Sequence, residues 1–252
     1  QCEGSSATSF REIPTNSHNA STSQISRTWQ KLYSAIYDAN DFIETVSGRM
    51  DNWGSSDREL ATIYLGEARA LRALFYFELV RWYGNVVLMT STADSRRKDE
   101  TFEQTAAKDV YAYIEEDLKY AAEVLPWAVD DTRRTTNAYR FSKGAALGLL
   151  AKVYCTWAGY PVRDESKWAE AEKAARRVVE SGKHRLISDY ETVWKNTCNG
   201  IWDAGESLIE VSFYSPTGLD SDNTAGRIGK WNGVSATTVE GERGRNAANW
   251  KV

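Results

Sequence analysis

Between Leu60 and Tyr83 the chain carries so many large apolar residues at helical spacing that little of this stretch can face water, and that one element constrains everything around it. Leu60, Tyr64, Ala68, Leu71, Phe75, Leu79 and Trp82 recur at intervals of three and four, which is the period of one helical face. Ala73, Tyr76, Phe77, Val80 and Tyr83 widen the stripe. A helix this broadly apolar has to be enclosed by other elements. It is expected to start near Asp57, after a turn at Asp51 to Ser56, and to stop at Gly84-Asn85, a pair that tolerates the positive φ of helix ends.

Four further segments supply the enclosing faces. Trp29, Leu32, Tyr33, Ile36, Ala39, Phe42, Ile43 and Val46 form the stripe of a helix from about Thr28 that Gly48 closes. Val110, Ile114, Leu118, Ala121 and Leu125 fall in register on a helix from about Thr101, ended by Pro126. Ser142 is placed to cap a helix from Lys143 to Thr156, whose Gly144, Ala145, Ala146, Gly148 and Ala151 allow a close neighbour. Ser166 is placed to cap a fifth, with Trp168, Ala171, Ala175, Val178 and Val179 inward and Ser181-Gly182 at its end.

These elements predict a mostly all-α fold, with TPR-like antiparallel helix pairs in a superhelical scaffold. The period between pairs is too irregular for a tandem array. Residues 1–28 read as an irregular segment, 29–182 as the helices and 183–252 as loop-rich, all within one helical domain over 1–252. A little β structure is expected near the C-terminal end, where ESLIEVSF at 206–213 alternates like a short strand.

Charge and composition narrow the function. A net charge of -4 leaves no broad positive field, so nucleic acid is not an expected partner. Three cysteines without C-x-x-C spacing and only two histidines, His18 and His184, supply neither a zinc motif nor a nucleophilic triad. No metal, cofactor or catalytic residue is predicted. Neither a membrane-spanning run nor an export signal is visible. The carboxylate run Glu115-Glu116-Asp117 is expected on a solvated helix face, because adjacent helical residues point apart and make no glycosidase pair. Glu67 and Arg72, on the densely apolar helix, are expected to satisfy one another or nearby backbone.

Several stretches carry a family resemblance. GEARALRALFYFELVRWYGNVVLM (66–89) resembles the most characteristic helix of SusD/RagB-type proteins. In family order around it stand WQKLYSAIYDANDFI (29–43), DVYAYIEEDLKYAAEVLP (109–126), RFSKGAALGLLAKVY (140–154), WAEAEKAARRVVESGKHRL (168–186) and ESLIEVSF. The chain departs at Gly84-Asn85-Val86-Val87, where the family usually has Gly-Asp-Val-Pro, and at Tyr139, where a glycine is common. The resemblance implies a non-enzymatic outer-membrane lipoprotein that captures oligosaccharide or polysaccharide at the cell surface and passes it to a SusC-like TonB-dependent transporter. Membrane attachment would run only through a lipid anchor outside this sequence, and the chain would be incomplete at both ends. Peptide capture, as in RagB-like members, is the alternative cargo, and a TPR-type protein-interaction scaffold is a further one.

A sugar binder needs flat aromatic faces with polar neighbours. Of the ten tryptophans, Trp29, Trp82, Trp157 and Trp168 lie on helical stripes and are assigned to the core, whereas Trp53, Trp127, Trp202, Trp231 and Trp250 fall in loop-like sequence. Trp231 is the leading ligand-contact candidate, since Arg227, Lys230 and Asn232 place donors beside it and glycines 226, 229 and 233 expose it. Further candidates follow from the resemblance, which gathers the loops before the first helix and after the strand-like stretch: Phe10, Arg11 and Asn16, with Trp202 and Tyr214.

Overall fold

The broad apolar stripe becomes α2, Ser55–Tyr83, and its neighbours wrap it on both sides. The structure, a computed structural model, describes residues 17–19, 22–95, 102–131 and 140–211. The chain divides into a unit of residues 1–209 and a unit of residues 210–252, and the architecture below is that of the first. After α1 (Ser23–Ser47) and a single 3-10 turn at Met50–Asn52 come α2, the one-turn α3 (Thr92–Ser95) and α4 (Ala107–Val124). Then follow α5 (Lys143–Ala158), α6 (Lys167–Val179) and α7 (Tyr190–Cys198).

Packing runs in sequence: α1 lies on α2, α2 on α4, α4 on α5 and α5 on α6. The result is the mostly helical, TPR-like frame expected from the periodicity. Ile36, Tyr76, Phe77, Leu79, Ile114, Leu118, Phe141, Leu147 and Tyr154 are all buried in one continuous core. Each such side chain contributes about 1.5–3 kcal/mol on burial. Gly84 ends α2 with φ +73°, where a side chain is rarely tolerated, as the sequence anticipated. Ser142 caps α5 by accepting from the Ala145 amide at 3.2 Å.

Several boundaries move for reasons that lie far away in the chain. The first helix starts at Ser23 rather than Thr28, since Tyr83 Oη donates to the Ile25 carbonyl at 2.7 Å and ties the extra turn to α2. Residues 102–106 are not helical. Thr105 donates to the Val86 carbonyl in an isolated antiparallel bridge, and Asn85 Oδ1 accepts from the Ala107 amide at 3.0 Å, capping α4 from another segment. Ser166 does not cap α6 through its side chain, because its hydroxyl donates to Asp164 Oδ1.

Residues 206–211 form no strand. Asp203 Oδ1 accepts from the Gly205 amide, the Glu206 carboxylate accepts from the Ile187 amide, and Leu208 settles against Gly148. The stretch is thus held by turns and by α5 rather than by a partner strand. Residues 212 and 213 lie outside the described residues. The flat faces of Gly144 and Gly148 receive the side chains of His184 and Leu208, not a neighbouring backbone.

Two of the four tryptophans assigned to the core leave it. Trp157 is buried and stacked on Tyr111, with centroids 5.5 Å apart, and Trp29 packs edge-on against Tyr83. Trp82 and Trp168, however, are more than half exposed. Each sits in a terminal turn of its helix, where the neighbouring helices no longer cover the stripe.

Candidate functional site

Glu67 and Arg72 of α2 were expected to satisfy one another or nearby backbone, yet each pairs with side chains outside α2. Arg72 donates through Nε and Nη2 to the two carboxylate oxygens of Asp117 on α4, both at 2.8 Å, and through Nη1 to Asn40 Oδ1 on α1 at 2.7 Å. Glu67 accepts from Arg140 at 3.0 and 2.6 Å just ahead of α5. Burial acts to lower the Arg72 pKa, but the paired Asp117 outweighs it and holds the guanidinium above its ordinary value.

Asp117 is therefore not on a solvated face, since it is almost fully buried. Nor is Glu115 solvated: Tyr154, Lys119 and Lys167 all donate to its carboxylate. The two carboxylates do point apart, toward α2 and toward α5–α6 respectively. Both are engaged by cations within the frame, which is a structural use of charge.

From this network hangs a strap, residues 86–92, laid along α1. Tyr33 Oη donates to the Val87 carbonyl and Asn40 Nδ2 to the Met89 carbonyl. Tyr76 Oη both donates to the Met89 carbonyl and accepts from its amide, each at 2.8 Å. The Glu44 carboxylate accepts from the amide and hydroxyl of Thr92. Burial pushes the Tyr33 and Tyr76 hydroxyls well above the usual phenol range, so both stay protonated donors. The strap's backbone is thereby fixed by side chains of α1 and α2.

Where α1 turns into α2, a groove of about 340 Å³ opens. Phe42, Val46, Trp53, Leu60, Ala61 and Tyr64 line it, with Asp57 the one charged group. A flat indole beside a carboxylate can stack on the C–H face of a sugar ring and accept from a hydroxyl, while the mainly apolar walls also suit an aliphatic or aromatic side chain. A lone carboxylate among apolar groups offers no acid–base pair. The sequence reading placed Trp53 in loop-like sequence without making it a ligand candidate, and put Phe42 and Leu60 on the inward stripes of their helices. Both of the latter are in fact exposed by more than a third. The signal available was a tryptophan in the turn joining two apolar-striped helices, directly before Gly54.

Of the sequence-predicted ligand contacts, Trp202 alone is described. It is half-buried in the loop after α7, its indole N–H without a hydrogen-bond acceptor among the described residues, next to Asp203, which pairs with Arg185 at 2.9 Å. Phe10, Arg11, Asn16, Tyr214, Trp231 and Asn232 lie outside the described residues. Among the described residues no group of three His, Cys, Asp or Glu side chains is arranged to hold a metal ion.

The helical order and this frame match known proteins. Residues 4–155 fit the SusD-like group described as "Starch-binding associating with outer membrane". The chain belongs to the SusD-like family. A SusD homologue from Bacteroides thetaiotaomicron has the same fold with a TM-score of 0.89 at 60% identity, over 99% of this chain and 46% of that one. A SusD-like protein of Bacteroides ovatus is 30% identical over 193 residues, 75% of this chain and 33% of the relative. A solved chain described with xylogluco-oligosaccharide aligns with a TM-score of 0.65 at 27% identity, over 83% of this chain and 40% of that one. The SusD-like chain thus spans a third to just under half of the length of these relatives. None of its described helices is long and apolar enough to cross a membrane.

Proposed function

We propose that this SusD-like protein binds oligosaccharide or polysaccharide at the cell surface without transforming it and delivers it to a SusC-like TonB-dependent transporter in the outer membrane. One observation carries the reading: the fold is shared, over 83% of this chain, with a relative described with xylogluco-oligosaccharide. The family description, with its starch binding and outer-membrane association, supports the same location and cargo class. The engagement of Glu67, Glu115 and Asp117 by Arg140, two lysines and Arg72 supports a binding rather than a hydrolytic role. Attachment through a lipid anchor outside this sequence belongs to the same proposal.

The ligand contacts proposed are Trp231 and Asn232, with Trp202, Tyr214, Phe10 and Arg11. Titration of the protein against a panel of polysaccharides tests the reading, with chromatography of the recovered ligand. Binding with unaltered ligand is expected, weakened by Trp231→Ala. Unchanged affinity in that variant rejects the site, and shortened product rejects the non-enzymatic role.

The groove at Phe42, Trp53 and Leu60 favours one second reading, peptide cargo, because its walls suit apolar side chains. Affinity for peptide mixtures with none for any glycan would establish that alternative.

A further inference from the structure

The groove where α1 turns into α2 carries one charge and nothing to balance it. Asp57 is the one charged residue of its lining, and its carboxylate makes no ion pair or hydrogen bond with another described residue. The Arg140 guanidinium lies 4.9 Å from the centroid of the Tyr64 ring but is paired with Glu67 at 2.6 Å. Three aromatic rings, Phe42, Trp53 and Tyr64, share the lining with the Asp57 carboxylate. The turn fixes the backbone that bears the indole, since the Trp53 amide donates to the Met50 carbonyl and the Asn52 amide to the Arg49 carbonyl, both at 3.1 Å.

Such a lining selects by what it lacks. A neutral sugar needs donors as well as acceptors for its hydroxyls, yet no Lys, Arg, His, Asn or Gln lines the groove. The side-chain donors there are the Trp53 indole N–H and the Tyr64 hydroxyl. A primary ammonium has only donors, and it is drawn both to a carboxylate and to aromatic faces. The remaining walls, Val46, Leu60 and Ala61, are aliphatic and suit the methylene stem on which lysine carries that charge. Phe42 and Leu60 stay 40% and 38% exposed. Apolar residues on either side of a bound lysine would cover them, whereas a free amine would leave them bare.

We infer that this groove binds the side chain of a lysine flanked by apolar residues in a polypeptide, with its ammonium between Asp57 and the Trp53 ring and its stem along Val46, Leu60 and Ala61. The inference rests on the peptide reading of this groove and names the residue that the groove selects. Glycan capture through Trp231 and its neighbours is independent of it.

Calorimetric titration of the 252-residue chain tests this with two acetylated and amidated peptides, Ala-Leu-Xaa-Leu-Ala, in which Xaa is lysine or norleucine. The lysine peptide is expected to bind about tenfold more tightly than the norleucine one, the margin of one charge-assisted contact. Added salt should narrow that margin. Asp57→Asn should remove it, Trp53→Ala should weaken both peptides, and Trp168→Ala, at an exposed tryptophan of α6, should change neither. Equal affinity for the two peptides, or a margin that survives Asp57→Asn, overturns the lysine assignment and leaves the broader peptide reading standing. Butylamine bound as tightly as the lysine peptide overturns it by naming a free amine. Displacement of the peptide by a polysaccharide overturns it by naming a sugar as the occupant. Binding of neither peptide sinks the inference, whatever Trp231→Ala does to glycan affinity.

Discussion

Arg72 on α2 and Asp117 on α4 meet through two parallel hydrogen bonds, and the remaining Arg72 nitrogen reaches Asn40 on α1. Three helices are thus joined by one buried guanidinium. The planar fork of arginine suits this, since it engages both carboxylate oxygens and still has a donor to spare. The expected outcome of Arg72→Ala or Asp117→Ala is a loss of about 3–5 kcal/mol, because either leaves an uncompensated charge or acceptor inside. Urea unfolding measures it. Replacement of both by apolar residues of similar volume should cost much less. A double variant as unstable as the worse single one would show that the pair stabilises in its own right.

The strap gives a second test. In Tyr76→Phe the Met89 amide loses its acceptor, while the Met89 carbonyl keeps Asn40. The cost should be about 1–3 kcal/mol, the penalty for a buried donor left unpaired. Hydrogen exchange should quicken at the Met89 amide and not at the α5 amides. Equal quickening throughout would mean that the hydroxyl supports the core generally and not the strap.

Helices were legible where an element's own residues decide it. The α2 stripe, the Ser142 cap and the Gly84 stop are local features, and each stands where the periodicity put it. What the pattern could not show is who comes to meet a residue from afar. Nothing near Ala107 announces that Asn85 will cap its helix, and nothing near Ser23 announces that Tyr83 will extend α1. The Glu115-Glu116-Asp117 run looked solvated because charge alone suggests water, yet Arg72 and Lys167 come from other helices to receive two of the three. For the site, Trp202 was singled out and lies in a described loop, whereas the groove at Trp53 was missed. Its walls, Phe42 and Leu60, share the helical period of the core, yet both are exposed by more than a third, and no further described helix lines that groove.

Glu115 makes stability depend on pH. Burial by itself would raise its pKa, but hydrogen bonds from Lys119, Lys167 and Tyr154 outweigh that and hold the carboxyl below its ordinary value of 4.5. A group whose folded pKa is depressed stabilises the fold at neutral pH and gives up that contribution as pH falls through the folded value. Glu115→Gln should therefore lower the urea midpoint near neutrality, and the gap from the unaltered protein should close on acidification below the glutamate range. A gap that persists unchanged at acid pH would assign the loss to packing.

Gly66 sets helix propensity against packing. In the middle of α2, alanine is the better helix former by about 1 kcal/mol. A Cβ at that position would nevertheless lie 2.5 Å from Val124 Cγ2 and 3.1 Å from Leu125 Cγ and Cδ2. Leu125 is fully buried and caps the end of α4 directly before Pro126, so it has nowhere to retreat. Overpacking of this kind costs about 1–3 kcal/mol, enough to cancel the propensity gain. Gly66→Ala should thus be destabilising. Val124→Ala removes the atom in closest conflict, and in that background the added methyl group should cost less or turn favourable. Thermal unfolding of the two single variants and the double one gives the coupling between the sites. Strictly additive changes would show that α2 and α4 do not meet at this glycine as closely as described.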